Sequence, residues 1–152
     1  MGRAVEVAGA VALDPEAAAA LWRDVRRWSG FIEGLQRIEE EGRDWPRPGA
    51  RVVWASGTGG RGRVTEKVES STPTSFATRV HEERLIGTQA IAFTPADDGG
   101  CAAHLSLEYE LAGAAPLKGL TDLLFIRRAL RDSLTRTLRR FAVEAQEDAG
   151  LR

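Results

Sequence analysis

The most regular pattern in the chain lies in the stretch CAAHLSLEYEL (101–111). Leu105, Leu107, Tyr109 and Leu111 fall on one side of an extended backbone; His104, Ser106, Glu108 and Glu110 fall on the other. A period of two is what a half-buried strand requires. With this one, taken as 101–112, six strands are predicted in succession, the others over 36–43, 50–56, 61–70, 75–84 and 88–95. They are separated by the turn-forming stretches DWPRPG, GTGG, STPT, RLIG and ADDGG. An earlier strand carries Val5, Val7 and Val11, with Gly9 in the same phase.

Two segments have the helical period instead. In LDPEAAAALWRDVRRWSGFIEGL, Asp14 suits an N-cap, Pro15 the first turn and Glu16 the positive end of the helix dipole. Ala18, Leu21, Val25 and Trp28 form one apolar face. Ser29-Gly30 ends that helix, and FIEGL reads as a second, very short one. A long helix is predicted over 116–147, with Leu120, Leu123, Leu130, Leu134, Leu138, Phe141 and Ala145 on one stripe. The order is therefore strand, two helices, six strands, one long helix. No linker, repeat or low-complexity tract interrupts it, so 1–152 reads as one domain. Short connections make successive strands antiparallel. A meander this long curls as it twists, and only the C-terminal helix is large enough to fill its concave side.

Composition narrows the function. A chain of 152 residues buries about 68–70% of its unfolded surface and folds without disulfides or metals. The 21 basic and 22 acidic residues nearly cancel, so nucleic acid is not an expected partner. The lone cysteine, Cys101, excludes an intrachain disulfide and points to a reducing, cytoplasmic setting. The first twenty residues lack the apolar core of a signal peptide, and no run is long enough to span a membrane.

Motif matches mostly dissolve on inspection. GTGGRG (57–62) fits G-x-G-x-x-G, but the residues after it alternate with period two through Val64 and Val68, so the glycines belong to a hairpin turn rather than a dinucleotide site. HEERL lacks the second histidine of a zinc helix, because Leu85 stands there. Cys101 and His104, three apart on a strand, face opposite sides. Ser56 sits outside any nucleophile elbow. No metal and no cofactor are expected.

Several polar or aromatic residues fall on apolar faces. Arg127 lies between Leu123 and Leu130 on the stripe of the long helix, where a guanidinium pointing inward would hold an anionic ligand group; the alternative is that it reaches out at a cavity rim. Glu66 shares the face of Val64 and Val68. One strand register sets Arg79 opposite Glu66 and His81 opposite Val64, making a polar interior patch able to do acid–base work. The neighbouring register turns Phe76, Thr78 and Val80 inward and sends Arg79 and His81 to solvent; it buries more apolar surface and is favoured on that ground. Tyr109 faces the long helix, where its hydroxyl needs a partner. Trp28, Phe31 and Trp54 are candidate wall or mouth residues, whereas Trp45, in a Pro-flanked turn, is expected to pack on the surface. Arg128, Arg136, Arg139 and Arg140 form an outer stripe, with Asp132 spaced for ion pairs to Arg128 and Arg136. Phe125 on the outward side leaves a homodimer open.

The element order, together with LWRDVRRWSGFIEGLQRIE, GTQAIAFTPADDGGCAAHLSLEYEL and the final Arg/Leu-rich helix, resembles the START/Bet v1-like superfamily, and more narrowly the bacterial polyketide cyclase/dehydrase-type (SRPBCC) proteins. The resemblance implies an α+β helix-grip fold: a curved antiparallel sheet of about seven strands around the C-terminal helix, with a cavity between them for hydrophobic ligands. It implies binding of a lipid- or polyketide-like small molecule, with Trp28, Phe31, Trp54, Glu66, Tyr109, Leu123, Arg127 and Leu130 as the ligand-binding set. In aromatase-type relatives, polar residues like Tyr109 bind or protonate substrate. A cyclase, aromatase or dehydratase acting in the same cavity is the first alternative, and a protein or RNA interaction module without ligand the second.

Overall fold

The computed structural model describes residues 3–57, 60–112 and 120–151. The elements run β1 (Arg3–Val11), α1 (Pro15–Arg23), a 3-10 helix (Val25–Gly30), β2 (Leu35–Glu41), β3 (Arg51–Ser56), β4 (Arg63–Thr72), β5 (Ser75–His81), β6 (Leu85–Pro95), β7 (Cys101–Leu111) and α2 (Leu120–Gly150). All seven strands join one sheet in the order β1-β7-β6-β5-β4-β3-β2, every neighbouring pair antiparallel. Six strands follow one another as hairpins. The first crosses to the far edge through α1 and the 3-10 helix, which close the sheet's end. This is the helix-grip α+β architecture, a seven-stranded antiparallel sheet with a long C-terminal helix.

The inward face is apolar for the reason the alternation gave. In β7, Cys101, Ala103, Leu105, Leu107 and Tyr109 are all buried, and His104, Glu108 and Glu110 between them are exposed. The backbone of α2 comes close to β1, α1 and the 3-10 helix. Its buried positions among the described residues, Leu134, Thr137, Leu138, Phe141 and Ala145, run from its middle toward its C-terminal end. Phe141 stands at the centre of an aromatic cluster, with ring centroids 5.3 Å from Trp22, 5.0 Å from Phe31 and 5.8 Å from Phe93. Arg27 fastens the end of the helix through ion pairs to Glu144 (2.7 Å) and Asp148 (2.9 Å).

Five local expectations are corrected. The first helix stops at Arg23 rather than Trp28. Asp24 takes extended backbone and its carboxylate accepts from the Arg26 N–H at 3.1 Å, so a short polar side chain competes with the helix and starts a new turn. FIEGL is consequently turn, with Phe31 and Ile32 buried in it. Trp45 is not a surface residue: it is half-buried, edge-on to Trp28 and Phe76 at 5.5 Å each. Breaking the helix orphans its last carbonyls, and two indoles satisfy them: Trp28 Nε1 donates to the Trp22 carbonyl (2.8 Å) and Trp45 Nε1 to that of Arg23 (2.9 Å). RLIG is not a turn, because the turn ends at Arg84 and β6 already includes Leu85, Ile86 and Gly87. Asp132 forms no ladder; Arg136 pairs instead with Glu33 at 2.8 Å, beside the hydrogen bond from the Glu33 N–H to Thr137 Oγ1 at 3.0 Å. GTGGRG does join the antiparallel strands β3 and β4, although residues 58 and 59 lie outside the described residues, as does the start predicted for the long helix.

Gly87 has a role inside β6. A Cβ there would collide with the Glu108 carbonyl oxygen and lie 3.1 Å from Tyr109 Cα, so β6 and β7 approach too closely for any side chain. Gly87→Ala is expected to cost about 1–3 kcal/mol of stability by forcing the two strands apart. A urea midpoint unchanged from the parent chain would show that the strands separate without penalty.

Candidate ligand-binding site

The β4–β5 register decides what the interior holds. Glu66 pairs with Val80 and Val68 with Thr78, and a bulge before Ser70 shifts the rest of the hairpin by one. Phe76, Thr78 and Val80 therefore point inward and are buried, while Arg79 and His81 are exposed. The greasier of the two registers is the one adopted, and the Glu66–Arg79–His81 patch does not form.

Glu66 nevertheless stays inside, 4% exposed. Its Oε2 accepts from Trp54 Nε1 at 2.8 Å and its Oε1 from Thr78 Oγ1 at 2.9 Å. Burial pushes the carboxyl above its ordinary range, against the two hydrogen bonds and the Arg61 charge, which pull it down. The Arg61 guanidinium lies 5.4 Å from the centre of the Trp54 ring and pairs with Glu82, so it caps the indole from outside.

The polar strip continues across the sheet. Thr78 stands opposite Gln89, and Gln89 opposite Leu107. Directly opposed residues point to the same side, so Gln89 faces inward, in phase with Gly87, Ile91 and Phe93. Yet Gln89 is only partly buried in a strand flanked on both sides, so open space reaches the inner face at this point. On the adjoining row, Glu66, Val80, Gly87 and Tyr109 are successive partners. Tyr109 is 1% exposed, and its hydroxyl has no hydrogen-bond partner among the described residues. Successive strands β3 to β7 thus each supply one polar group: Trp54, Glu66, Thr78, Gln89 and Tyr109. The span from Glu66 to Tyr109 covers three strand spacings, about 14 Å.

The other expected site residues divide. Trp28 and Phe31 are fully buried in aromatic packing against Trp45, Trp22 and Phe141; they build the closed end of the interior. Leu123 and Leu130 are half-buried in the first part of α2, and Ile126 and Leu130 pack against the core. Arg127 is exposed, so the inward guanidinium is not observed. The burial order of this helix turn puts Ile126 and Leu130 inside, and Arg127 is carried to the outer side by the 100° step. Sequence reasoning did not single out Gln89, although a glutamine in phase with Gly87, Ile91 and Phe93 was its visible signal. Among the described residues no cluster of three or more His, Cys, Asp or Glu could hold a metal ion. The buried Cys101 thiol is pushed up by its burial.

A family model described as "Polyketide cyclase / dehydrase and lipid transport" matches residues 3–146. The chain belongs to this family. No curated protein matches it significantly. Among solved structures, this polyketide cyclase/dehydrase family member is similar to TTHA0849 from Thermus thermophilus, with TM-score 0.78 and 15% identity over 96% of this chain and 99% of that one. It is similar to the Zhui aromatase/cyclase from Streptomyces sp. R1128, with TM-score 0.77 and 15% identity over 96% and 94%. It is also similar to a START superfamily protein from Mycobacterium smegmatis, with TM-score 0.75 and 11% identity over 95% and 97%. Likeness at such identities establishes the START-like fold of this family member. Among its described residues no helix is long and apolar enough to cross a membrane.

Proposed function

We propose that this chain binds a hydrophobic or amphipathic small molecule, lipid- or polyketide-like, between the inward face of its sheet and the first half of α2. The observation that carries the reading is the buried Tyr109 hydroxyl without a partner, on the same face as the reachable Gln89. A buried hydroxyl left unpaired costs about 1–3 kcal/mol, and a ligand oxygen beside Tyr109 would remove that cost. Apolar burial supplies the affinity, and the polar strip fixes orientation. The chemistry inside favours an uncharged, oxygen-bearing ligand. No described cation points inward to meet a carboxylate or phosphate, and the carboxyl of Glu66 is shifted toward its neutral form.

Tyr109→Phe separates this reading from simple core packing. Removing an unpaired hydroxyl is expected to stabilise the empty protein by about 1–2 kcal/mol and to weaken a bound oxygenated ligand by about 0.5–1.5 kcal/mol. Urea unfolding and a titration with an oxygenated polycyclic ligand, followed by Trp fluorescence, check the two signs. Lower stability in the variant, with unchanged affinity, would mean that the hydroxyl already has a partner and serves the core.

A second reading rests on Glu66 itself. Burial favours the protonated form of this carboxyl; in that form, beside a bound carbonyl compound, it would donate its proton to the carbonyl oxygen during ring closure or dehydration and take a proton back as the product forms. The comparison with an aromatase/cyclase structure supports including it. Glu66→Gln would keep ligand binding and abolish turnover in that case.

A further inference from the structure

The outward side of α2 has no role in the site described above, and its composition is unusual for this chain. Residues 123–143 hold six Arg and one Asp, a net +5 in a chain whose total is −1, which leaves −6 on the rest. Arg136 reaches Glu33. Arg127, Arg128, Arg131, Arg139 and Arg140 are exposed and form no ion pair among the described residues. Beside them stand large apolar side chains that the fold leaves in water: Leu124 is 59% exposed, Phe125 71% and Val143 60%. Leu124, Arg128 and Arg131 share one helix face by their spacing, and Phe125 adjoins it.

We propose that this face docks on an anionic lipid bilayer, with Leu124 and Phe125 entering the interface and the arginines meeting the headgroups. Arginine and exposed leucine or phenylalanine on one helix side are the two components of interfacial binding: apolar burial below, charge attraction above. Other occupants fit less well. A symmetric dimer centred on this face would set the arginine rows of two copies against each other, a repulsion with one Asp132 per copy to relieve it. A nucleic acid would use the arginines and leave Leu124 and Phe125 without a contact they need. The first turns of α2 also carry Ile126 and Leu130 against the core, so a docked helix brings the bilayer beside the half-buried end of the ligand space. The docking itself does not depend on the ligand reading.

The test uses vesicles of phosphatidylcholine alone and of phosphatidylcholine with phosphatidylglycerol, with co-sedimentation as readout. Binding to the mixed vesicles only, weakened by salt, is expected. The double variant Arg127→Gln, Arg128→Gln should weaken it about thirty-fold, from about 1 kcal/mol per arginine. Leu124→Ser with Phe125→Ser should weaken it as well. Both pairs are exposed, and equal urea midpoints would show that the fold is intact. Absence of binding to the anionic vesicles, or binding that both variants retain, overturns the proposal. So does a stable dimer lost in the Leu124/Phe125 variant, or tight binding of an RNA oligomer by a chain that ignores vesicles. Ligand titration of the same variants should be unchanged, which keeps failure of docking distinct from failure of the cavity reading.

Discussion

Phe141→Ala is expected to destabilise the folded chain by about 3–5 kcal/mol, the usual range for truncating a buried phenylalanine. Phe141 is 0% exposed and touches three rings from three parts of the fold: Trp22 in α1, Phe31 after the 3-10 helix and Phe93 in β6. Its ring is thus a central contact through which α2 holds the closed end of the sheet, beside the Arg27 ion pairs. Truncation removes the ring's burial and leaves a void that three large, mutually braced aromatics cannot close. Because a domain of this size is stable by only about 5–15 kcal/mol, the loss is a large share of the total. Phe141→Leu should cost less, since it keeps part of the volume. Denaturant unfolding of the three chains gives the comparison. A loss below about 1 kcal/mol for Phe141→Ala would mean that the helix is held elsewhere, with the Arg27 pairs to Glu144 and Asp148 the first place to look.

The second large effect concerns Glu66. Its removal in Glu66→Ala deprives Trp54 Nε1 and Thr78 Oγ1 of their common acceptor in a buried place, with an expected cost of about 2–4 kcal/mol. Glu66→Gln behaves differently, because the amide oxygen accepts from Trp54 and the amide N–H donates to Thr78 Oγ1. The contrast between the two variants lies in pH. The folded-state value of the Glu66 carboxyl is raised above the ordinary 4.5, chiefly by burial. The folded chain therefore holds this proton more tightly than the unfolded one. The resulting stabilisation is fully present below the unfolded value and is lost as pH rises through the raised folded value. The parent chain should lose stability over that window, and Glu66→Gln should not share this loss. Urea midpoints taken from about pH 4.5 upward would show the gap between them shifting in favour of glutamine. A gap independent of pH would mean that Glu66 does not titrate in the window and that its carboxyl is better solvated than its surroundings indicate.

These residues also show how much of the molecule was legible in advance. Seven strands and the long final helix followed from periodicity, because burying one face of a strand or helix leaves a repeating trace in the residues themselves; the antiparallel pairing of successive strands followed from their short connections. Glu66 and Tyr109 were visible in the same way, as polar residues in apolar phase. The trace fails where local contacts compete. Asp24 broke a helix whose stripe ran on, and the two freed carbonyls drew Trp28 and Trp45 into places that no period foretold. It also fails at the ends of elements. Gly87 looked like a turn residue, yet it is a strand position where two backbones nearly touch.

Arg127 marks the boundary most clearly. On a helical wheel it falls between two leucines of the apolar stripe. The direction from which the sheet approaches α2 is a tertiary property, and it packs the half-buried Ile126 and Leu130 against the core while leaving Arg127 in water. The choice between the two β4–β5 registers was of the same kind, although there the burial argument chose correctly. The pattern of residues alone established which faces are apolar, and through them the strands and the long helix; the helix-grip architecture came from the family resemblance. Which polar groups meet inside was settled in three dimensions. Hydrogen-bond partners such as Trp54, Glu66 and Thr78 come from separate strands, and their meeting depends on register and twist rather than on spacing along one strand.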